Sequence, residues 1–332
     1  MVLEKDSSIL GYPGETSKAL HADHHDVCKF ESPKDPNYIT VRNVLKSILS
    51  KILSTTKSSR AAFVDRKNSQ DLKSLLSISD HPDIDYIFFR DQWTQGTSDW
   101  ILEDENYLEW FGYPQVSMQN HVLWIHGGAA AGKSVLASFI INNIIEQGYN
   151  CQYFFIRFGD QKKRTISHLL RSIVYQVAQA VPEYLGHILE LAAEEIDFGK
   201  ARTTVIWEKL FKSILFKLRR QEPLYWVLDG LDEAEDPKAI VRLLSDISSS
   251  LVPLRILFVS RKTSDLMSAF ERLPKGVAYF QVTLEGRVKD LRSYIEHELQ
   301  LSGDAGFKDE IVRKVLEDAQ SNFLVSISNH LA

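Results

Sequence analysis

The sequence predicts an α/β fold built on a parallel sheet whose crossover helices cover both faces. Three observations carry this prediction. Short apolar runs alternate with longer segments of helical spacing through the middle of the chain, which is typical of parallel strands joined by helices. A glycine-rich loop follows the first apolar run, and a later apolar run ends in an aspartate. Both features stand at the carboxyl ends of predicted strands, where open α/β folds bind their ligands.

The strands are predicted where the apolar runs are short and nearly continuous, as expected when helices cover both faces of a sheet. These runs are residues 122–125, 152–156, 224–228, 255–259 and 278–282. The apolar spacing between and after them predicts helices. These helices are residues 134–146, 166–178, 182–193, 205–219, 237–249, 288–299, 307–317 and a last one that begins near Phe323.

The N-terminal part of the chain is expected to be less regular. Turn-forming residues dominate positions 1–40, a helix is predicted at 41–53, and a polar linker at 54–70. Short helical pieces follow at 71–112, with Tyr107, Trp93, Trp100 and Trp110 expected to pack in the core or at an interface rather than to form a ligand cage. The predicted organisation is therefore an N-terminal tail with a helix (1–53), a linker (54–70), a helical lead-in (71–118), an α/β domain (119–285) and a partial helical domain (286–332).

The overall composition limits the partners of the protein. The chain has 332 residues, of which 44% are hydrophobic and 25% charged, a globular composition. Its formal net charge of -5 and the lack of a basic stripe argue against nucleic acid as a partner. No apolar stretch is long enough for a membrane span. Cys28 and Cys151 stand in no metal-binding spacing, so we expect reduced thiols and a cytoplasmic protein.

The strongest motif lies between a predicted strand and a predicted helix. It reads Gly127-Gly128-Ala129-Ala130-Ala131-Gly132-Lys133-Ser134, a complete GxxxxGK[ST] match. Small residues let consecutive backbone N–H groups point at phosphates, beside the positive N-terminus of the following helix. We therefore predict that these residues and Val135 bind the nucleotide. Lys133 is expected to reach the β- and γ-phosphates, and the Ser134 hydroxyl to bind Mg²⁺.

A second motif combines an apolar strand with carboxylates. The run Leu224-Tyr225-Trp226-Val227-Leu228-Asp229 is followed by Gly230-Leu231-Asp232-Glu233-Ala234. A carboxylate at the end of a parallel strand beside a phosphate-binding loop is the pattern of a Walker B motif, so we predict that Asp229 binds Mg²⁺ together with Ser134. Asp232 and Glu233 are candidates to polarise an attacking water, and Asp232 is preferred.

A third apolar strand, residues 255–259, is followed by Ser260 and Arg261. The arginine lies at the same predicted sheet edge as the other two motifs. We therefore predict that Arg261 senses or stabilises the γ-phosphate. A surface arginine without such a role is the alternative interpretation of this residue.

Together these residues resemble the NACHT-type P-loop NTPases of the STAND class, in particular fungal members with a nephrocystin-type N-terminal domain. The resemblance covers about residues 71–332, and Gly230 directly after the Walker B aspartate is its most NACHT-like feature. The matching stretches are Thr97-Ser98-Asp99-Trp100-Ile101-Leu102 with Tyr107 and Trp110, residues 123–134, Tyr153-Phe154-Phe155, residues 228–234 and Phe258-Val259-Ser260-Arg261.

The resemblance implies a five-stranded sheet of order 5-1-4-3-2, followed by a helical lid. It also implies a nucleotide-driven switch that controls self-association in defence or programmed cell-death signalling. Related loops often carry Pro-Gly-Ser-Gly where this chain has Ala129-Ala130-Ala131. The alanines are expected to fit sterically and to stiffen the loop, which argues for slow turnover.

The N-terminal segment from Leu20 to Tyr38 is similar to the end of a lipase-like α/β-hydrolase domain that precedes the NACHT module in fungal multidomain proteins. In that setting His24 would be the triad histidine. The chain contains no GxSxG motif, so a remnant without esterase activity is expected.

The sequence thus predicts Mg²⁺-dependent binding and slow hydrolysis of a nucleoside triphosphate as a signalling switch. ATP and GTP stay equally open. The alternative is a scaffold that binds nucleotide without hydrolysing it. The chain is also expected to be part of a longer protein, because it stops within a helical pattern.

Overall fold

The computed structural model describes residues 29–30, 35, 37–45, 59–79, 81–112, 119–191, 196–286, 288–299, 309–310 and 312–314. The chain divides into two units, Met1–Val64 with Glu146–Gly148 and Asp65–Ile145 with Tyr149–Ala332. The described part of the smaller unit is mainly helical. The sheet and all the predicted site residues lie in the larger unit.

Five strands form one parallel sheet. They are β1 (Asn120–His126), β2 (Asn150–Phe155), β3 (Leu224–Asp229), β4 (Leu254–Ser260) and β5 (Val277–Thr283). Their bounds differ from the predicted ones by at most two residues. The order β2-β3-β4-β1-β5 is the predicted order 5-1-4-3-2 counted from the other edge, and each neighbouring pair is parallel. The predicted P-loop NTPase fold is therefore confirmed.

Helices follow and flank the strands. Besides the helical residues 37–45, 309–310 and 312–314, the described ranges include α1 (Ser59–Leu76), α2 (Asp83–Arg90), α3 (Glu105–Phe111), α4 (Lys133–Glu146), α5 (Ile166–Ala180), α6 (Pro182–Leu191), α7 (Thr203–Ile206), α8 (Pro237–Leu243), α9 (Ser264–Phe270) and α10 (Val288–Leu299). Within those ranges, none of them is both long and apolar enough to cross a lipid bilayer.

The core lies on both faces of the sheet. Val122 and Trp124 of β1 enter an apolar cluster that includes side chains of α1, α5 and α6. Leu123 and Ile125 of the same strand enter a second cluster with α3 and α4. Successive strand residues point to opposite faces, and both faces are buried, so each strand must be apolar throughout. This requirement made the strands predictable from the sequence.

The predicted linker at 54–70 is wrong from Ser59 onward, because α1 is a continuous helix through Leu76. Leu72 and Leu76 lie one helical turn apart and are buried in the first cluster. The polar composition of residues 65–70 concealed the helix, which is anchored by packing at its C-terminal end. The helix predicted at 41–53 is present at 37–45, and residues 46–53 lie outside the described ranges.

The single helix predicted at 205–219 is also wrong. α7 ends at Ile206, a π-helical turn spans Trp207–Lys212, and a 3₁₀ turn spans Leu215–Lys217. The Ser213 N–H donates to the carbonyl of Glu208 at 2.9 Å, five residues back. Five large apolar side chains of this segment are buried, and four of them follow α-helical spacing, which is why the sequence predicts one continuous helix here. They are Trp207, Leu210, Phe211, Leu215 and Phe216.

Other predicted elements agree in part. The helix predicted at 237–249 is α8 followed by a 3₁₀ helix, Leu244–Ser249. Of the helix predicted at 307–317, residues 309–310 and 312–314 are described and helical. The helix near Phe323, His24 and Cys28 lie outside the described residues.

His121 of β1 is a buried histidine, 6% exposed, whose Nδ1 lies 3.1 Å from the carbonyl oxygen of Glu109. Burial lowers its pKa to about 4, and the nearby guanidinium of Arg255 acts in the same direction. The unfolded chain binds this proton near pH 6.5. The stability contributed by neutral His121 is therefore fully present above pH 6.5 and is lost as the pH falls towards 4.

We predict that His121→Asn flattens the pH dependence of folding. The asparagine amide can donate to the same carbonyls and takes up no proton. Between pH 7 and 4.5 the wild-type free energy of unfolding should fall by about 2 kcal/mol more than that of the variant. Urea unfolding at a series of pH values measures this difference, and parallel pH curves for the two proteins would contradict it.

Candidate functional site

The glycine-rich loop lies at the carboxyl edge of the sheet, between β1 and α4. At its start the Gly127 N–H donates to the carbonyl of Ser260 at 3.2 Å. A side chain at position 127 would place its Cβ 2.8 Å from Leu284 Cβ, so the close approach requires glycine. Gly132 has a φ of +74°, which turns the chain into the helix. These contacts fix the loop above the ends of β1 and β4.

The three alanines of the loop do not all fit without strain. Ala130 has a φ of +53°, in the left-handed region. A residue with a Cβ adopts this conformation at a cost of about 1–2 kcal/mol. The expectation that the alanines fit sterically is therefore corrected at position 130, where the loop stores backbone strain.

Lys133 folds back over the loop that precedes it. Its ammonium donates to the carbonyl of Gly127 at 3.2 Å and also to that of Gly128. Burial lowers the pKa of Lys133, while the carboxylates of Asp232 and Asp229 oppose that shift. The ammonium thus stands over the loop and close to two acids, with the backbone carbonyls of Gly127 and Gly128 as hydrogen-bond partners.

Ser134 and Asp229 meet at the centre of the site. The Ser134 hydroxyl donates to Asp229 Oδ2 at 2.5 Å, and Asp229 is 4% exposed at the end of β3. Burial raises the pKa of Asp229 to about 7, against the opposing effects of the Ser134 hydrogen bond and of Lys133. A buried carboxylate beside a hydroxyl lacks a full counter-charge, and both are oxygen donors of the kind Mg²⁺ prefers. The pair therefore fits the predicted Mg²⁺ ligands.

The described residues near Ser134 and Asp229 supply part of a metal site. In the described part of the chain, no group of three or more His, Cys, Asp or Glu side chains is placed to hold a metal ion. Mg²⁺ in phosphate-binding sites is usually held by one or two protein ligands together with substrate phosphates. The observed donor set is consistent with that arrangement.

Gly230 turns the chain away from the sheet directly after Asp229. Its φ is +76°, and a Cβ there would lie 2.4 Å from the carbonyl oxygen of Ile156. The turn leads into a 3₁₀ helix, Leu231–Glu233. The segment therefore does not continue as a strand, and both Asp232 and Glu233 face the same cleft.

The two acids have different partners. Asp232 Oδ1 accepts a hydrogen bond from the Arg261 N–H at 3.0 Å, and its Oδ2 lies 3.5 Å from Arg261 Nε. Glu233 Oε2 accepts from the Phe158 N–H at 2.6 Å. The structure thus brings Arg261 together with Asp232, while Glu233 holds the loop that follows β2.

A cleft of about 1090 Å³ joins these groups. Most of the predicted site residues line this cleft, so the structure brings them together. Their roles stay predictions. They are Ala130, Ala131, Gly132, Lys133, Ser134, Val135, Asp229, Asp232, Glu233 and Arg261. Gly127, Gly128 and Ala129 belong to the loop but are not part of this lining.

The sequence did not predict the other side of the cleft. It is lined by residues of the segment before β1 and of α10, including Trp93, Trp100 and Asp290. Trp110 and Tyr107 are buried as expected, whereas Trp93 is 36% exposed. The cluster of tryptophans was visible in the sequence, but no motif indicated which of them face the cleft.

Asp290 connects α10 to the segment before β1. Its Oδ2 accepts hydrogen bonds from the Ser98 N–H at 3.0 Å and from Trp100 Nε1 at 2.8 Å. α10 is the first helix after the sheet, at the position of the predicted lid. One carboxylate therefore joins this helix to the segment before β1 on the same side of the cleft.

A model of the family described as nephrocystin 3, N-terminal matches residues 96–261, half of the chain. That range includes the loop, Asp229, the acids and Arg261. No curated protein sequence matches the chain.

The solved structures to which the chain is similar have low identity and low TM-scores. A DNA replication initiation factor is 15% identical over 65% of this chain and 55% of that chain, with a TM-score of 0.35. A structure of Drosophila ORC bound to DNA is 14% identical over 80% and 66%, with a TM-score of 0.33. Drosophila ORC bound to GC-rich DNA and Cdc6 is 11% identical over 96% and 47%, with a TM-score of 0.31. The chain thus spans between about half and two thirds of the length of these proteins.

We predict that Gly230→Ala destabilises the protein by at least about 2 kcal/mol, because the left-handed φ and the contact with the Ile156 carbonyl both oppose a side chain. The matched control is Gly186→Ala in α6, where an added Cβ meets nothing within 4 Å. That variant should gain about 0.5–1 kcal/mol from helix propensity. Urea unfolding of both variants measures these changes. Equal stability of Gly230→Ala and wild type would show that the turn is not required.

Proposed function

This chain belongs to the nephrocystin 3, N-terminal family, and we propose that it binds a nucleoside triphosphate with Mg²⁺ and hydrolyses it slowly as a switch. The observation that carries the proposal is the contact of Ser134 with Asp229. It joins the end of a phosphate-binding loop to a buried carboxylate from another strand. A merely structural loop does not require a buried acid at this point, because burying it unpaired is unfavourable.

The loop binds the phosphates in this proposal. The backbone N–H groups of residues 127–135 and the N-terminus of α4 attract the negative charge. Lys133 exchanges its contacts with the loop carbonyls for charge-assisted hydrogen bonds to the β- and γ-phosphates. Ser134 and Asp229 hold Mg²⁺, which neutralises charge on those phosphates when bound.

Asp232 is the proposed general base, and Arg261 the residue that responds to the γ-phosphate. In the structure the two side chains neutralise each other, and Arg261 is more exposed than Asp232. A γ-phosphate would compete with Asp232 for the guanidinium, since Arg binds phosphate with planar, bidentate geometry. The released Asp232 carboxylate could then orient and deprotonate a water. Glu233 remains the second candidate for this role.

A scaffold that binds nucleotide without hydrolysing it is the alternative, and one observation favours it. Both acids already have hydrogen-bond partners in the protein. Asp232 accepts from the backbone N–H of Arg261, and Glu233 accepts from the backbone N–H of Phe158. If these contacts persist in the bound state, neither acid is available to a water. The two functions share the same binding site and differ only in turnover.

The biological setting is proposed from the sequence resemblance. We place the switch in defence or programmed cell-death signalling of the fungal NACHT type, with self-association through the NTPase domain. The N-terminal segment is proposed as a hydrolase-derived remnant that precedes the NTPase domain (119–285) and a partial helical domain. A cytoplasmic location and the absence of nucleic acid as a partner stay predictions, supported by two cysteines and a net charge of -5.

The proposal predicts that Lys133→Ala weakens nucleotide binding by about ten- to a hundred-fold, because it removes a charge-assisted phosphate contact worth roughly 1.5–3 kcal/mol. Calorimetric titration with Mg-ATP and Mg-GTP measures the change. Lys200→Ala is the control, since Lys200 is exposed and pairs with Asp197 outside the cleft. Unchanged affinity in folded Lys133→Ala protein would contradict a phosphate-binding role.

Alanine variants of the acids should distinguish residues needed for nucleotide binding from residues needed only for hydrolysis. Asp229→Ala is expected to weaken Mg²⁺-dependent binding, so that binding and hydrolysis fall together. Asp232→Ala is expected to keep its affinity and lose about 10²- to 10⁴-fold in rate, the usual contribution of a general base. Phosphate release and nucleotide affinity are measured for both variants and for Glu233→Ala. Tight nucleotide binding by wild type without phosphate release above background, even at high protein concentration, would favour the scaffold.

A further inference from the structure

Trp93 presents an aromatic surface to the cleft. One face of its indole stacks on Phe139, with ring centroids 5.7 Å apart and an interplanar angle of 30°. The side chain lines the cleft and is 36% exposed. Phe139 thus contacts one face of the ring, and the remainder of the side chain is available to the cleft that it lines.

The indole is held in place by hydrogen bonds. Its Nε1–H donates to the carbonyl of Thr97 at 2.9 Å. The Thr97 hydroxyl in turn donates to the carbonyl of Thr94 at 2.7 Å, which closes the turn that carries the ring. A ring fixed on one face and at its nitrogen loses little conformational freedom when a ligand stacks on it, so the surface is preorganised.

The position of this surface relative to the phosphate loop follows from α4. The helix begins at Lys133, and Phe139, on which Trp93 stacks, lies six residues later. At 1.5 Å per residue this is about 9 Å along the helix axis. Trp93 and the loop residues 130–135 thus line one continuous cleft, and the residue that supports the indole lies more than one helical turn beyond the start of α4.

We propose that Trp93 is the base-binding residue of the site and that its open face stacks on a purine. The proposal rests on the proposed nucleotide-binding function. Aromatic side chains stack on every base, and the larger ring system of a purine covers more of the indole than a pyrimidine does. Trp93 thereby selects purine nucleoside triphosphates over pyrimidine ones and over inorganic triphosphate.

The test compares four probes, Mg-ATP, Mg-GTP, Mg-CTP and Mg-tripolyphosphate, on wild-type protein, Trp93→Ala and Trp93→Phe. In Trp93→Ala we expect roughly 5- to 150-fold weaker binding of both purine nucleotides, unchanged binding of tripolyphosphate, and no remaining preference for ATP over CTP. Trp93→Phe keeps a smaller ring and should fall in between. Lys133→Ala is the control for the phosphate end and should weaken all four probes.

Two outcomes overturn the inference while the proposed function stands. One is equal affinity of wild type and Trp93→Ala for Mg-ATP, and the other is equal loss of ATP and tripolyphosphate binding in that variant. If wild type binds none of the probes, the proposed function itself fails.

Intrinsic fluorescence provides a measurement that does not depend on the alanine variant folding. The chain has six tryptophans. A stacked base should quench the emission of Trp93, so Mg-ATP should quench wild type more than Trp93→Phe, and tripolyphosphate should quench neither. The same quenching by Mg-ATP in both proteins would contradict stacking on Trp93.

Discussion

The hydrogen bond between Ser134 and Asp229 is the interaction on which the rest of the site depends. In the sheet, β4 lies between β1 and β3, so the loop after β1 reaches across one strand to the carboxylate at the end of β3. The contact therefore requires the observed strand order. It also requires Gly230, because the chain leaves the sheet there through a left-handed turn. A side chain at this position would collide with the backbone of Ile156. That turn also positions Asp232 and Glu233, and Asp232 contacts Arg261 at the end of β4.

Burial determines the electrostatic properties of this contact. Asp229 is nearly inaccessible and its pKa is raised to about 7, while burial lowers the pKa of Lys133. Both shifts are the response of charged groups to a poorly solvated site, where electrostatic interactions are stronger than in water. Phosphates and a divalent cation would supply the missing opposite charges. The strained φ of Ala130 is a further local cost at this position, of the kind found at functional sites.

The sequence was sufficient for the sheet and for one wall of the cleft. The strands are short, buried on both faces and therefore apolar throughout, and the loop motif is local in sequence. The opposite wall depends on contacts between distant residues, such as those of Asp290 with Ser98 and Trp100. Glu233 and Phe158, which form a hydrogen bond, are likewise far apart in the sequence. Helix α1 and the π-helical turn at Trp207–Lys212 were missed because tertiary packing, rather than local periodicity, determines them.

The central claim is that Ser134 and Asp229 bind a divalent cation together with a nucleotide. Electron paramagnetic resonance of Mn²⁺, used in place of Mg²⁺ with ATP or GTP, tests this claim directly. We expect the folded protein to change the spectrum of the Mn²⁺–nucleotide complex saturably, with one ion per chain, and Ser134→Ala to remove the change. A spectrum that excess wild-type protein leaves unaltered for both nucleotides would contradict the account.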